Sequence, residues 1–239
     1  MTVFYQSKTF LQHDTGSHPE SPQRLQAVMD EVAAKKIAGL TVENDPTVKI
    51  GQEIERVHSA DYLKSVQQFC ADGGGRIETD TVVCPRSFEV AQYAAGCAVK
   101  AVDQVLLGKT KRIFCAVRPP GHHALSKQAM GFCLINNVAV AAKHAVAQHK
   151  LNRVLIVDWD VHHGNGTQEI VWSDRTILYA SIHQMPLYPG TGAADETGAG
   201  NIFNVPLSPG AGSSTFHSGF TDKIIPALDA FRPDLIIIS

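Results

Sequence analysis

Five short segments of this chain are apolar almost without interruption: Ile113–Val117, Arg153–Asp158, Thr176–Ile182, Ile202–Pro206 and Asp234–Ile238. A strand with one wet face alternates apolar and polar residues, whereas a strand covered on both faces does not. Runs of this kind, alternating with helical stretches, therefore predict an α/β fold: a mostly parallel central sheet between two helical layers. Helices are expected over residues 21–39, Ser59–Cys70, Ser87–Leu107 and Asn136–Gln148. The first has Ser21 as a cap, Pro22 in its opening turn, apolar spacing through Leu25, Val28, Met29 and Val32, and Gly39 as its end. With 239 residues, 44% of them hydrophobic, no internal repeat and no low-complexity linker, the chain reads as one domain spanning 1–239.

Composition narrows the function classes. The formal net charge is −2 and no run of Lys and Arg occurs, which argues against nucleic-acid or anionic-membrane binding. No stretch approaches the roughly 20 apolar residues of a membrane span, and no signal peptide is evident at the N-terminus. The five cysteines are odd in number and widely spaced, as expected for reduced thiols packed as small hydrophobes. The expectation is a cytoplasmic protein.

In open parallel sheets, ligands bind beyond the carboxyl ends of the strands. Three clusters of chemistry-bearing residues follow strands in this chain. Val154–Val157 runs into Asp158, Asp160, His162, His163 and Asn165. If the chain stayed extended, Asp158, Asp160 and His162 would share a side, and Asp160 with His162 could reach one zinc ion. An Asp-x-His pair alone is also compatible with ordinary hydrogen bonding, and a catalytic zinc takes three protein ligands. After Ile113–Val117, the turn Arg118-Pro-Pro-Gly-His-His123 carries adjacent histidines suited to acid–base work near neutral pH. Solvated loop histidines are the plain alternative. Asp158 and Asn165 are available to orient them, one charged and one neutral, which would separate the two proton affinities. After Thr176–Ile182 comes the third cluster, Ser181 to His183. Phe132, after Gly131, reads as a core aromatic or as one wall of a narrow apolar slot, and Tyr188 could supply the other wall for an extended methylene chain. His183 and His217 read as ordinary core or surface residues, and Arg24 and Arg118 as solvated or paired.

Several long motifs occur together and in order: His18-Pro-Glu-Ser-Pro-Gln-Arg24, Val57-His-Ser-Ala-Asp-Tyr-Leu63, Arg118-Pro-Pro-Gly-His-His-Ala124, Gly131-Phe-Cys133 with Asn136-Asn137, Asp158-Trp-Asp-Val-His-His-Gly-Asn-Gly-Thr-Gln168 and Tyr188-Pro-Gly-Thr-Gly192. On these the chain closely resembles the zinc amidohydrolases of the arginase/deacetylase fold. Among them it is most like the class II histone deacetylases and the bacterial deacetylase-like and acetylpolyamine amidohydrolases.

The resemblance implies that Asp160 and His162 bind zinc. It makes His122 and His123 the tandem acid–base pair, backed by Asp158 and Asn165 respectively. Gly131, Phe132 and Tyr188 would line an acyl-lysine tunnel, with Arg24 near the cavity at its foot. A structural potassium would take the backbone carbonyls of Asp158, Asp160, His162 and Ile182, the Asp160 carboxylate and the Ser181 hydroxyl. Gly164 stands where the two-metal arginase branch needs a carboxylate, so a mononuclear site is implied.

The implied reaction is amide hydrolysis, with acyl-lysine in peptides or proteins, or acetylated polyamines and other small acylated amines, as substrates. Homo-oligomers occur among such proteins and are compatible with this chain. The family's third zinc ligand, an aspartate, and its oxyanion-binding tyrosine are expected beyond Leu235–Ser239, which implies a domain incomplete at its C-terminus. A split enzyme and a non-catalytic binding module are the readings of another class.

Overall fold

Valine and isoleucine carry two heavy atoms on Cβ and favour the extended backbone, and Val154-Leu-Ile-Val157 uses them where both faces must be covered. In the computed structural model, which describes residues 1–239, every residue of this strand is buried. The chain divides into two compact units, Met1–Ala141 and Ala142–Ser239.

The first unit opens with β1 (Thr2–Gln6), a 3-10 turn at Lys8–Gln12, α1 (Pro22–Lys35) and β2 (Leu40–Asn44). Then come α2 (Gln52–Glu55), α3 (Ala60–Ala71), β3 (Gly75–Glu78), β4 (Thr81–Val83), α4 (Ser87–Leu106) and β5 (Arg112–Cys115). Strands β2, β1 and β5 form a parallel sheet in that order, and β3 pairs with β4 as an antiparallel hairpin. Phe4, Tyr5, Phe10, Leu25, Met29 and Val90 are central to its core. Ser59 caps α3, its side chain accepting from the Tyr62 amide.

α5 (Asn137–His149) leads into β6 (Val154–Asp158), α6 (Asn165–Val171), β7 (Ile177–Gln184), β8 (Ile202–Leu207), α7 (Ser213–Gly219), α8 (Ile225–Phe231) and β9 (Leu235–Ile238), with a π-helical turn at Phe220–Ile224 between the last two helices. The second unit's sheet runs β8-β7-β6-β9, parallel throughout, with Val154 opposite Ile177 on one side and Leu235 on the other. Leu155, Val157, Leu178, Ile182 and Ile224 fill its core. The expected α/β class with mostly parallel strands is what the chain adopts.

Three expectations change. Two of the apolar runs are not covered on both faces: Phe114 in β5 and Ile236 and Ile238 in β9 are about half exposed. The helix from residue 21 stops at Lys35, because Lys36 itself takes the left-handed conformation (φ 43°) that ends a helix. Gly39 (φ +77°) serves the following turn instead, and its carbonyl accepts from the Thr2 amide at 3.0 Å. The segment after Asp158 does not stay extended. It bends at once and enters α6 at Asn165, with Gly164 at the cap position and Gly166 in the first turn.

Candidate functional site

In the first unit, the candidate residues lie on irregular backbone that polar side chains hold in place. Asn136 is fully buried and works in two directions. Its Oδ1 accepts from the Ala139 amide at 3.1 Å, capping α5, and its Nδ2 donates to the Ala124 carbonyl at 3.3 Å. Asn137 donates to the Pro119 carbonyl at 3.2 Å. His58 bridges the same two segments. Its Nε2 accepts from the Asn136 amide at 2.9 Å, so its proton sits on Nδ1 and is donated to the Leu125 carbonyl, also at 2.9 Å. Burial pushes its pKa down to about 4, so the ring is neutral at pH 7. Gly121 passes so close to Ile135 and Asn137 that a Cβ would come within 2.6 Å of the Asn137 amide.

The turn so braced presents His122 and His123 with ring centroids 4.0 Å apart and planes tilted by 45°. They are not solvated loop side chains: His123 is only 4% exposed and His122 half-buried. The His123 ring packs against Gly131 (φ +55°), where a Cβ would lie 2.3 Å from the imidazole Cδ2. Phe132 follows in the left-handed region (φ 71°), its amide donating to the buried Thr81 hydroxyl at 3.1 Å and its ring meeting His18 edge-on at 4.7 Å. Phe132 is half-buried rather than sealed in a core. Arg24 is exposed on α1 and lines a cleft of roughly 330 Å³ with Glu20, Leu25 and Arg118. Arg118 is buried and paired, as expected. Its guanidinium grips Glu20 through two bonds of 2.5 and 2.7 Å and reaches the Phe10 carbonyl at 3.1 Å. His13, sequestered beside this pair, has its pKa lowered by burial to about 4.

In the second unit, Asp158 closes β6 with no exposed surface. One carboxylate oxygen accepts from the Asp160 amide at 3.2 Å, and the other from the Tyr179 hydroxyl at 3.2 Å. Asp160 repeats the device: its Oδ1 accepts from the His162 amide at 2.8 Å. Each aspartate thus bonds the amide two residues on, and the pair makes two successive turns. Strand alternation was the expected reason for bringing Asp160 and His162 together. The structure brings them together by side-chain-closed turns beyond the strand, because the extended backbone ends at Asp158. The Gln184 amide pins the middle of this loop, donating to the Val161 carbonyl at 2.9 Å.

The result places Asp160 Oδ1 3.1 Å from His162 Nδ1. Two ligand atoms on one tetrahedral zinc lie about 3.3 Å apart at ordinary bond lengths. The oxygen and nitrogen donors and their separation therefore fit the metal. Asn165 starts α6, while Ser181 stands opposite Asp158 in the β6–β7 register and has no exposed surface. Tyr188 is partly exposed, with its ring 6.1 Å from that of His162.

The residues that sequence reasoning passed over are the supports. Tyr179 is sealed beneath Asp158, and burial raises its hydroxyl pKa well above the usual value, so it stays a donor. His163 and His183 are buried with defined partners, and burial lowers the pKa of each, that of His163 to about 4. His58 and Thr81 support the first unit's loops in the same way. His58 and His163 lie inside sequence motifs and His183 in the cluster after Thr176–Ile182, whereas Thr81 and Tyr179 carried no such signal.

Residues 18–239 match the family model described as "Histone deacetylase domain". The chain is 41% identical to the uncharacterised protein slr0245 of Synechocystis, covering all of this chain and 80% of that protein. It is 39% identical to a histone deacetylase-like amidohydrolase of Pseudomonas aeruginosa, across 92% of this chain and 59% of that one. The crystal structure of the HDA15 HD domain superimposes with a TM-score of 0.94 at 38% identity, over the whole of this chain and 70% of that one.

Proposed function

Because the chain belongs to the histone deacetylase domain family, we propose that it is a zinc-dependent amidohydrolase that removes acetyl or other acyl groups from lysine side chains. The observation that carries this reading is the facing pair Asp160 Oδ1 and His162 Nδ1, 3.1 Å apart on a loop closed by its own carboxylates. These two residues would hold the ion. A bound zinc would polarise the acyl carbonyl and make water acidic enough to be deprotonated at neutral pH.

The remaining chemistry belongs to this chain's own side chains. His123 takes a proton from water, and the His122/His123 pair returns one to the departing amine nitrogen, so that a free amine leaves. Asp158 and Asn165 orient the acid–base groups. Phe132 and Tyr188, each partly exposed, are the tunnel walls for a methylene chain, and Arg24 serves the cavity at its foot. The carbonyls of Asp158, Asp160, His162 and Ile182, the Asp160 carboxylate and the Ser181 hydroxyl would supply the hard oxygen donors of a structural potassium site. We place the protein in the cytoplasm.

The full-length protein, loaded with zinc, is expected to hydrolyse an acetyl-lysine peptide reporter, and His123→Ala to lose activity by roughly 100- to 10,000-fold. Acetylputrescine assayed in parallel separates the polyamine reading: preference for it would move the substrate class to small acylated amines. No hydrolysis of either, with zinc bound, would leave a binding module.

A further inference from the structure

The second unit holds a buried polar network around two histidines that none of the roles above uses, and its donors and acceptors can be assigned from one end. The Glu196 carboxylate can only accept. It does so from the Gly192 amide at 3.1 and 3.2 Å, the Ala193 amide at 3.1 Å and Gln168 Nε2 at 2.5 Å. That fixes the Gln168 amide, whose Oε1 must then face Asn204 Nδ2 at 2.7 Å and His163 Nε2 at 3.0 Å. His163 accordingly carries its proton on Nε2, and its Nδ1 accepts from the Thr191 hydroxyl at 2.8 Å. His183 is fixed in the same sense. Nε2 donates to the Gly192 carbonyl at 3.0 Å, and Nδ1 accepts from the Ser181 hydroxyl at 2.9 Å.

The two rings lie 4.8 Å apart, each at most 2% exposed, with the Gly192 backbone against both. There a Cβ would come within 2.4 Å of His183 Nε2 and 2.6 Å of His163 Cγ. Both ends of this arrangement are consequential: His163 is the neighbour of His162 in the chain, and Thr191 and Gly192 end the loop that bears Tyr188.

We propose that His163 and His183 are positioning residues: together they clamp residues 187–192 to the carboxyl ends of β6 and β7 and so fix where Tyr188 stands relative to His162. The clamp's effect on substrate rests on the reading of Tyr188 as a tunnel wall. The clamp itself does not.

Thr191→Val keeps the side chain's shape and removes only the hydroxyl that His163 accepts, while Thr191→Ser keeps the hydroxyl. In the full-length, zinc-loaded protein with fluorotyrosine incorporated, wild type and Thr191→Ser should give a single sharp Tyr188 resonance. Thr191→Val should broaden or split it, and should raise amide exchange over 187–192 by about tenfold, the equivalent of one buried hydrogen bond. With the acetyl-lysine reporter, KM should rise about tenfold while kcat changes less than about threefold, and Thr191→Ser should restore it. An unchanged Tyr188 signal in Thr191→Val overturns the clamp. A changed signal with unchanged KM in an active enzyme overturns its role in positioning substrate. If wild type hydrolyses no acylated amine, the functional reading falls, and the Tyr188 resonance still decides the clamp.

Discussion

At the scale of single residues, two glycines and an aspartate say most about what this chain does. Gly192 has φ +94° and lies against two imidazoles. Gly192→Ala meets both a disfavoured backbone and a steric clash, and should cost about 2–4 kcal/mol of stability by urea denaturation. Gly131 stands in the same relation to His123. Asp160 spends one oxygen on the His162 amide and faces the His162 ring with it. Asp160→Ala removes both the turn and a metal donor. Metal analysis of the purified variant should show zinc falling well below one equivalent, and acyl-lysine hydrolysis should drop by more than about 100-fold. The side chains with ionisable or aromatic chemistry are legible in the sequence, since residue type and order alone mark them out. Their supports are not. Thr81, Gln168, Thr191 and Glu196 are ordinary polar residues whose meaning comes from partners far along the chain, such as the 36 positions between Gln168 and Asn204.

At the scale of elements, the buried strands were readable because an unbroken apolar run has few other uses. β6 and β7, buried along almost their whole length, and β9, whose Ile236 and Ile238 are exposed, all fall within two residues of where the sequence puts them. β1 and β2 escaped notice: Thr2–Gln6 has only three apolar residues between polar ends, and β2 is largely exposed, so neither shows a long apolar run. α6 escaped because Gly164 and Gly166 look like breakers, although a glycine at the cap and in the first turn costs little. The α5 start has a testable energetic weight. Asn136→Ala removes the cap to Ala139 and the bond to Ala124, both in buried surroundings. A loss of about 2–3 kcal/mol is expected by urea denaturation. Weakened acid–base chemistry should accompany it, because the 119–124 turn loses one of its braces.

For the molecule as a whole, three histidines held neutral by burial set the acid limit. His13, His58 and His163 each titrate near pH 4 in the folded chain and near 6.5 when unfolded. Between those values the unfolded chain binds more protons, so stability is fully present above about pH 6.5 and falls as the pH drops towards 4. Each histidine contributes roughly 3 kcal/mol across that window. Unfolding at pH 5 should therefore take up about three protons from these groups, and potentiometric or calorimetric titration of the unfolding transition would measure it. Uptake near zero would mean that the rings are protonated in the folded state. The fold class was readable at this scale from the alternation of apolar runs and helices. The division into Met1–Ala141 and Ala142–Ser239 was not, because no change of composition or linker marks it.

On the proposed role of His123 as the proton-transfer group, its contact with Gly131 bears on how fast a proton can move. With the Gly131 backbone close against its side chain and His122 only 4.0 Å away on centroids, His123 has little room to swing between a donor and an acceptor. A histidine that cannot turn must give and take protons in one orientation. Turnover would then carry no waiting time for a side-chain rotation, only for the partners that come to it.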